Sequence, residues 1–185
     1  MPRNCSAKKS PPMSVKNYLL RLMTSSCLML LLALMEFSSY AQTADTARYI
    51  KTPAGYLMVL RQGDDVFKEI EKLATAEKIP SANFTGMGFV NAKFGFFDFK
   101  TKEYKPKDFK EVELASMNGS IAWQKGQPSL HVHGVVTDAS FKAFGGHLLS
   151  ATVSTGSLEI TVIVHDKKLE RKMEEPLGAN VLQLQ

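Results

Sequence analysis

The chain has 185 residues, of which 23 are Lys or Arg, 18 are Asp or Glu and four are His, for a formal net charge of +5. Its 44% apolar and 22% charged residues are ordinary for a globular protein and exclude wholesale disorder and collagen-like chains. A single apolar run of any length excludes a multi-pass membrane protein, and the basic balance points to nucleic acid only if it belongs to the folded part.

The charge is unevenly spread. Residues 1–41 hold five basic side chains (Arg3, Lys8, Lys9, Lys16 and Arg21) and one acid, Glu36, for +4, while residues 42–185 hold 18 basic and 17 acidic side chains, for +1. Lys16 and Arg21 precede the apolar run at 28–35, and Ser39, Tyr40 and Ala41 come just before Gln42. Basic, then apolar, then small-x-small is the order of a secretory signal. It predicts a signal peptide over 1–41, cleaved after Ala41, and an exported chain, periplasmic or secreted. The apolar run falls short of the ~20 residues that span a bilayer, so no stable membrane span is expected after cleavage. The alternatives are an uncleaved anchor, a disordered tail, or a lipid anchor at Cys27, which lacks the usual preceding Leu. The stretch before Met13 is long for a signal, so Met13 is a second candidate start. Both cysteines, Cys5 and Cys27, lie in this segment. The mature chain then has no disulfide, no Cys-ligated zinc and no thiol nucleophile, and an oxidising compartment suits it.

Residues 42–53 read as a linker, 54–170 as one domain, and 171–185 as a C-terminal extension able to form an edge strand. The apolar run at 56–60 predicts a strand ended by Gly63. Asp64 is then placed to cap a helix whose stripe is Val66, Ile70, Leu73 and Ala74, with Pro80 closing the segment. The pattern after it is strand-like throughout. Strands are predicted at 84–91, at 92–99, at 112–123 and at 130–137. A charged turn or loop falls at 100–106. A last pair at 148–153 and 158–165 is joined around Ser154, Thr155 and Gly156. Many strands with one early helix predict an α+β fold, a mainly antiparallel sheet covered by a helix. The aromatic cluster Phe84, Phe89, Phe94, Phe96, Phe97 and Phe99 reads as core or subunit interface in preference to a base-stacking platform.

Three of the four histidines, His131, His133 and His147, fall within 17 residues. His131 and His133 are two apart in a predicted strand, so they share a face, with Leu130, Val132 and Gly134 on the other. Two imidazoles projected together form half a site for zinc, nickel or copper. Gly145 and Gly146 allow a sharp bend or a close strand approach that could bring His147 beside them. Three imidazoles leave a position open for water or substrate, the arrangement of a catalytic site. Partly exposed strand histidines with no ligand are the alternative. Glu113 and Asp138 are the nearest acids in sequence; Glu113 is the candidate to support the site, and Asp138 reads as a turn acid. His165 reads as a surface residue. No Walker-type loop, Gly-x-Ser-x-Gly or His-Glu-x-x-His motif is present.

Several stretches, in order over roughly 54–166, resemble the PPC (plants and prokaryotes conserved) domain family. They are Gly55 to Gly63 with the following helix, Gly86-Met87-Gly88-Phe89-Val90-Asn91-Ala92, Gly95-Phe96-Phe97-Asp98, and Glu113 to Gly119. The most specific are Leu130-His131-Val132-His133 and Gly145-Gly146-His147-Leu148-Leu149. The resemblance implies a curved, mainly antiparallel sheet with a helix against it, assembled as a homotrimer. It also implies a divalent metal, often zinc, on His131, His133 and His147, near a subunit boundary. The family carries a DNA-binding label. In plant members the domain is joined to AT-hook segments built on Arg-Gly-Arg-Pro, which this sequence does not contain. A charge of +1 over 42–185 offers little field for phosphates. The lysines at 100, 102, 105, 107 and 110 are interrupted by Glu103 and Asp108 and read as a solvated hairpin. Three readings stay open: an exported metal-binding trimer that binds or transforms a small molecule, a DNA-binding regulator, and a non-catalytic trimeric interaction module.

Overall fold

The computed structural model describes residues 47–184. The predicted signal peptide, both cysteines and the first part of the predicted linker lie outside the described residues.

The described chain opens with a hairpin of β1 (Tyr49–Thr52) and β2 (Gly55–Arg61). Helix α1 (Val66–Ala76) follows, then β3 (Ser81–Asp98), β4 (Glu103–Gln124), β5 (Gln127–Thr137) and β6 (Ala143–His165). A final hairpin of β7 (Glu170–Glu174) and β8 (Ala179–Gln183) completes it. The α+β class and the mainly antiparallel sheet agree with the sequence pattern. Among the described residues no helix is long and apolar enough to cross a membrane.

The helix buries the predicted stripe, Val66, Ile70, Leu73 and Ala74. Its cap differs from the expectation. Asp65, directly before the first helical residue, accepts from the Lys68 amide at 3.2 Å. Asp64 is spent on the preceding turn: it accepts from the Arg61 amide at 2.7 Å and pairs with Arg48 at 2.7 Å. Gly63, at φ +89°, makes the turn just before the two acids.

The strands are longer than the sequence pattern suggests. The predicted strands at 84–91 and 92–99 are one strand, β3. The charged loop shrinks to the turn after Asp98, and β4 resumes at Glu103. The predicted pair at 148–153 and 158–165 is also a single strand, β6. Its register against β3 jumps from Leu158 opposite Gly88 to Val153 opposite Val90, so residues 154–157 form a bulge and not a hairpin turn. The jump has a physical cause. The Val153 carbonyl accepts from Gly63 and its amide donates to the Asp64 carbonyl, so this residue, opposite Val90, spends its backbone groups on the turn before α1.

Strand order is β1-β2-β6-β3-β4-β7-β8, and β5 pairs with both β4 and β6. The pairings β3–β4–β5–β6–β3 therefore form a closed circuit, and the sheet curls back on itself. Closure requires β6 to come close to β5. A Cβ on Gly145 would lie 2.6 Å from the Gly134 carbonyl oxygen, so only glycine permits that approach. The core is built from Met58, Leu60, Phe84, Leu114, Met117, Ile121, Leu158 and Ile160, which cluster with the helix stripe and are almost wholly buried. Gly119 makes room for the largest of these, because a Cβ there would meet the Phe84 ring at 2.2 Å.

Candidate metal centre

The point where β5 meets β6 is also where the histidines gather. His133 stands opposite His147 in register, and the next pair is Gly134 with Gly146. His131 lies two residues before His133 on the same strand face, while Val132 and Gly134 turn inward and are buried. The alternation read from the sequence thus places both imidazoles on one side, and the glycine-assisted closure delivers the third.

The ring centroids of His131, His133 and His147 are 5.1 to 5.2 Å apart in every pair. One ring nitrogen from each lies within 4.8 Å of the other two. Tetrahedral coordination at about 2.0–2.1 Å would set these nitrogens roughly 3.4 Å apart. Side-chain rotation of an ångström or so closes the triangle. Three neutral nitrogen donors on two adjacent strands fit a borderline divalent ion such as zinc. Burial holds the His147 pKa down to about 4, helped by the charges His131 and His133 would carry. His131 is lowered too, first by burial, then by His133 and by Arg171. The imidazoles of His131 and His147 are therefore held in the neutral, ligand-competent form at neutral pH.

The histidines line a cavity of about 1190 Å³. Its wall is strongly aromatic. The Tyr104 ring stacks on His147 with centroids 4.9 Å apart and planes inclined by 24°. Phe97 packs against Tyr104, and Phe109 against Phe144. Burial raises the Tyr104 phenol above its ordinary value. The β7–β8 hairpin supplies another part of the wall, including Arg171 and Val181.

The two acids singled out in the sequence lie elsewhere. Glu113 pairs with Thr137 across β4 and β5 and does not line the cavity. The Asp138 carboxylate accepts from Ser140 and Lys142 within its own turn, with the Ser140 hydroxyl the main cause of its lowered pKa. His165 stands at the far end of β6, with Nε2 2.7 Å from Asn83 Oδ1. The aromatic cluster divides: Phe84 and Phe94 are buried, whereas Phe89, Phe96 and Phe99 are exposed. Tyr104 and Arg171 are among the cavity residues that the sequence reading missed. Tyr104 falls in the predicted loop, and only its register opposite Phe97 could have signalled it. Arg171 falls in the predicted extension, where no local pattern marks it.

Comparison with known proteins places this geometry in context. The family model described as the Plants and Prokaryotes Conserved (PCC) domain matches residues 48–166. A solved protein of Ralstonia eutropha, provisionally called DNA-binding, is 54% identical, with a TM-score of 0.74; the match covers 75% of this chain and 97% of that one. A metal-containing protein of Archaeoglobus fulgidus is 29% identical over 69% of this chain and 91% of its own, with a TM-score of 0.62. A plant- and prokaryote-conserved protein of Pyrococcus horikoshii is 27% identical over 75% and 96%, with a TM-score of 0.64. No curated protein matches the chain.

Proposed function

The chain belongs to the Plants and Prokaryotes Conserved domain family, and on that premise we propose that it is an exported homotrimer. It holds a divalent metal, zinc by its donor set, on His131, His133 and His147, and binds or transforms a small molecule in the adjoining cavity. The observation that carries this reading is the triangle of imidazole nitrogens within 4.8 Å on the wall of an aromatic cavity. The metal-containing relative of A. fulgidus supports it. A metal held there by the three imidazoles would supply Lewis acidity. This chain's own residues do the rest: Tyr104 fixes the His147 ring, and the aromatic walls exclude water around the ligand.

Self-association is supported by apolar side chains facing outward in mid-sheet. Met87 and Phe89 of β3 are 59% and 45% exposed although the strand is flanked on both edges. A second copy would cover them. The export half of the proposal rests on the charge and hydropathy pattern of residues 1–41.

Metal analysis of the purified mature protein tests the reading, with mass determined by sedimentation. About one metal ion per chain and a trimeric mass are expected, with the metal lost and the mass kept in a His131→Ala/His133→Ala variant. Equal, negligible metal in both proteins would remove the metal centre.

A second reading, DNA binding, is supported by the name given to the R. eutropha relative. The +1 charge of residues 42–185 weighs against it. N-terminal sequencing of the protein in its native cell separates the two. A chain beginning at Gln42 and recovered outside the cytoplasm is expected; a full-length chain retained with the chromosome would favour DNA.

A further inference from the structure

The cavity holds a charge that the metal centre does not use. Arg171 is on β7, beyond residue 166 where the family match ends. It is 5% exposed and lines the cavity. Its guanidinium donates to the Ser129 carbonyl and, at 2.6 Å, to Ser120 Oγ. Ser120 is the register partner of His131, and Ser129 lies two residues before His131 on the same face. The guanidinium is thus pinned beside the first histidine of the cluster.

Those two bonds use two of the five guanidinium N–H groups. Among the described residues, no carboxylate is paired with Arg171. A buried cation without an anion is costly to keep, and an arriving anion would relieve that cost. The rest of the lining has the same sign. Lys105 and Lys107 are there, and neither Asp nor Glu is. Lys105 is already paired with Asp98 at 2.7 Å, and Lys107 lies over the Phe109 and Phe144 rings. Arg171 is therefore the buried cation of this lining, and it keeps N–H groups to spare.

We propose that Arg171 is the anion-recognising group of this cavity and that the ligand is a small organic carboxylate, its carboxyl group on the guanidinium and its apolar body against Phe97, Tyr104, Phe109 and Phe144. The planar guanidinium presents paired donors that match a carboxylate. Inorganic phosphate matches the charge but brings no apolar part to exchange for its hydration, so aromatic walls favour the carboxylate. The proposal deepens the metal-site reading and rests on it for the ligand's approach to the histidines; the contact with Arg171 does not need the metal.

The test uses the mature protein with its measured metal content, and benzoate as the probe. Calorimetric titration should show benzoate binding that falls at least tenfold in Arg171→Gln while metal content stays constant. Benzyl alcohol and inorganic phosphate should bind at least tenfold more weakly than benzoate. In the unaltered protein, the Arg171 Nε–H resonance should shift on titration with benzoate and stay still with benzyl alcohol, a readout that does not depend on the variant folding. Benzoate binding unchanged by Arg171→Gln, or an unmoved Nε–H resonance, would overturn the role of Arg171. Phosphate binding as tight as benzoate would overturn the carboxylate class. Because the titration also runs on metal-free protein, failure here is distinct from failure of the metal centre, which is an unaltered protein without metal.

Discussion

The two ends of β3 put the same residue to opposite uses. Phe84, near the start, is 2% exposed, in a core that α1 covers from one side. Phe96, near the end, is 76% exposed, and it lines the cavity with Phe97. Around Phe84 the neighbours are aliphatic and the packing leaves no room for one methyl group on Gly119. Phe97 packs on Phe99 and Tyr104, and the cavity it lines also holds three imidazoles, lysines and a buried guanidinium. One end is built for density and the other for a visitor. The hydrophobic effect explains the first; at the second, an exposed aromatic ring stands beside a buried guanidinium that no carboxylate of the described residues neutralises.

The largest expected effect sharpens that contrast. Phe84→Ala removes a ring from a close-packed site and should cost about 3–5 kcal/mol of unfolding free energy. His131→Ala, in metal-free protein, removes a partly exposed ring from a polar wall and should change stability by less than about 0.5 kcal/mol. Urea unfolding at one fixed protein concentration compares the two, a condition that matters if the protein associates. Similar losses from both substitutions would erase the distinction between the regions.

How far each region was legible in the sequence follows the same divide. The helix-backed half was readable because its signals are local. Val66, Ile70, Leu73 and Ala74 recur at the helical period, and burial followed that stripe. His131 and His133 were readable for the same reason, since a two-residue spacing in a strand fixes a shared face. Gly145 and Gly146 correctly marked the close approach that brings His147 in. Wherever distant backbone decides the local shape, the reading failed. Ser154-Thr155-Gly156 has the composition of a turn, but Val153 is bonded to Gly63 and Asp64, some 90 residues earlier, and the strand runs through as a bulge. Asp64 reads as the helix cap in the sequence, but it is paired with Arg48 and bonded to the Arg61 amide, and Asp65 caps instead. Tyr104 and Arg171 reach the cavity only through the register of a hairpin and a contact 42 residues apart in the chain. The metal triangle was visible in outline; the group that would choose its ligand was not.

A smaller effect separates the two regions by pH. In metal-free protein His147 titrates near 4, mainly because burial opposes its charged form, with His131 and His133 adding to this. In the unfolded chain it would titrate near 6.5. Between those values the unfolded state binds the proton and the folded state does not. Stability must therefore fall as pH drops from about 6.5 toward 4, and this contribution is fully present above 6.5. His131, lowered in the same direction, steepens the upper part of that window. The helix-backed region responds later. Glu77, at the end of α1, is held below its usual range by bonds from Lys51, Tyr49 and Tyr56, so the stability it contributes is lost only as pH falls below the ordinary carboxylate value, near 4.3. Urea midpoints measured from pH 7.5 to 4.5 should fall in the metal-free protein and fall less in His147→Gln, whose side chain cannot take up the proton. Bound metal should steepen the decline, because protons then compete for the same nitrogens. A midpoint that stays flat from 6.5 to 4.5 in the metal-free protein would mean that these imidazoles are as wet as any on the surface, and the cavity would lose its claim to differ from the rest of the exterior.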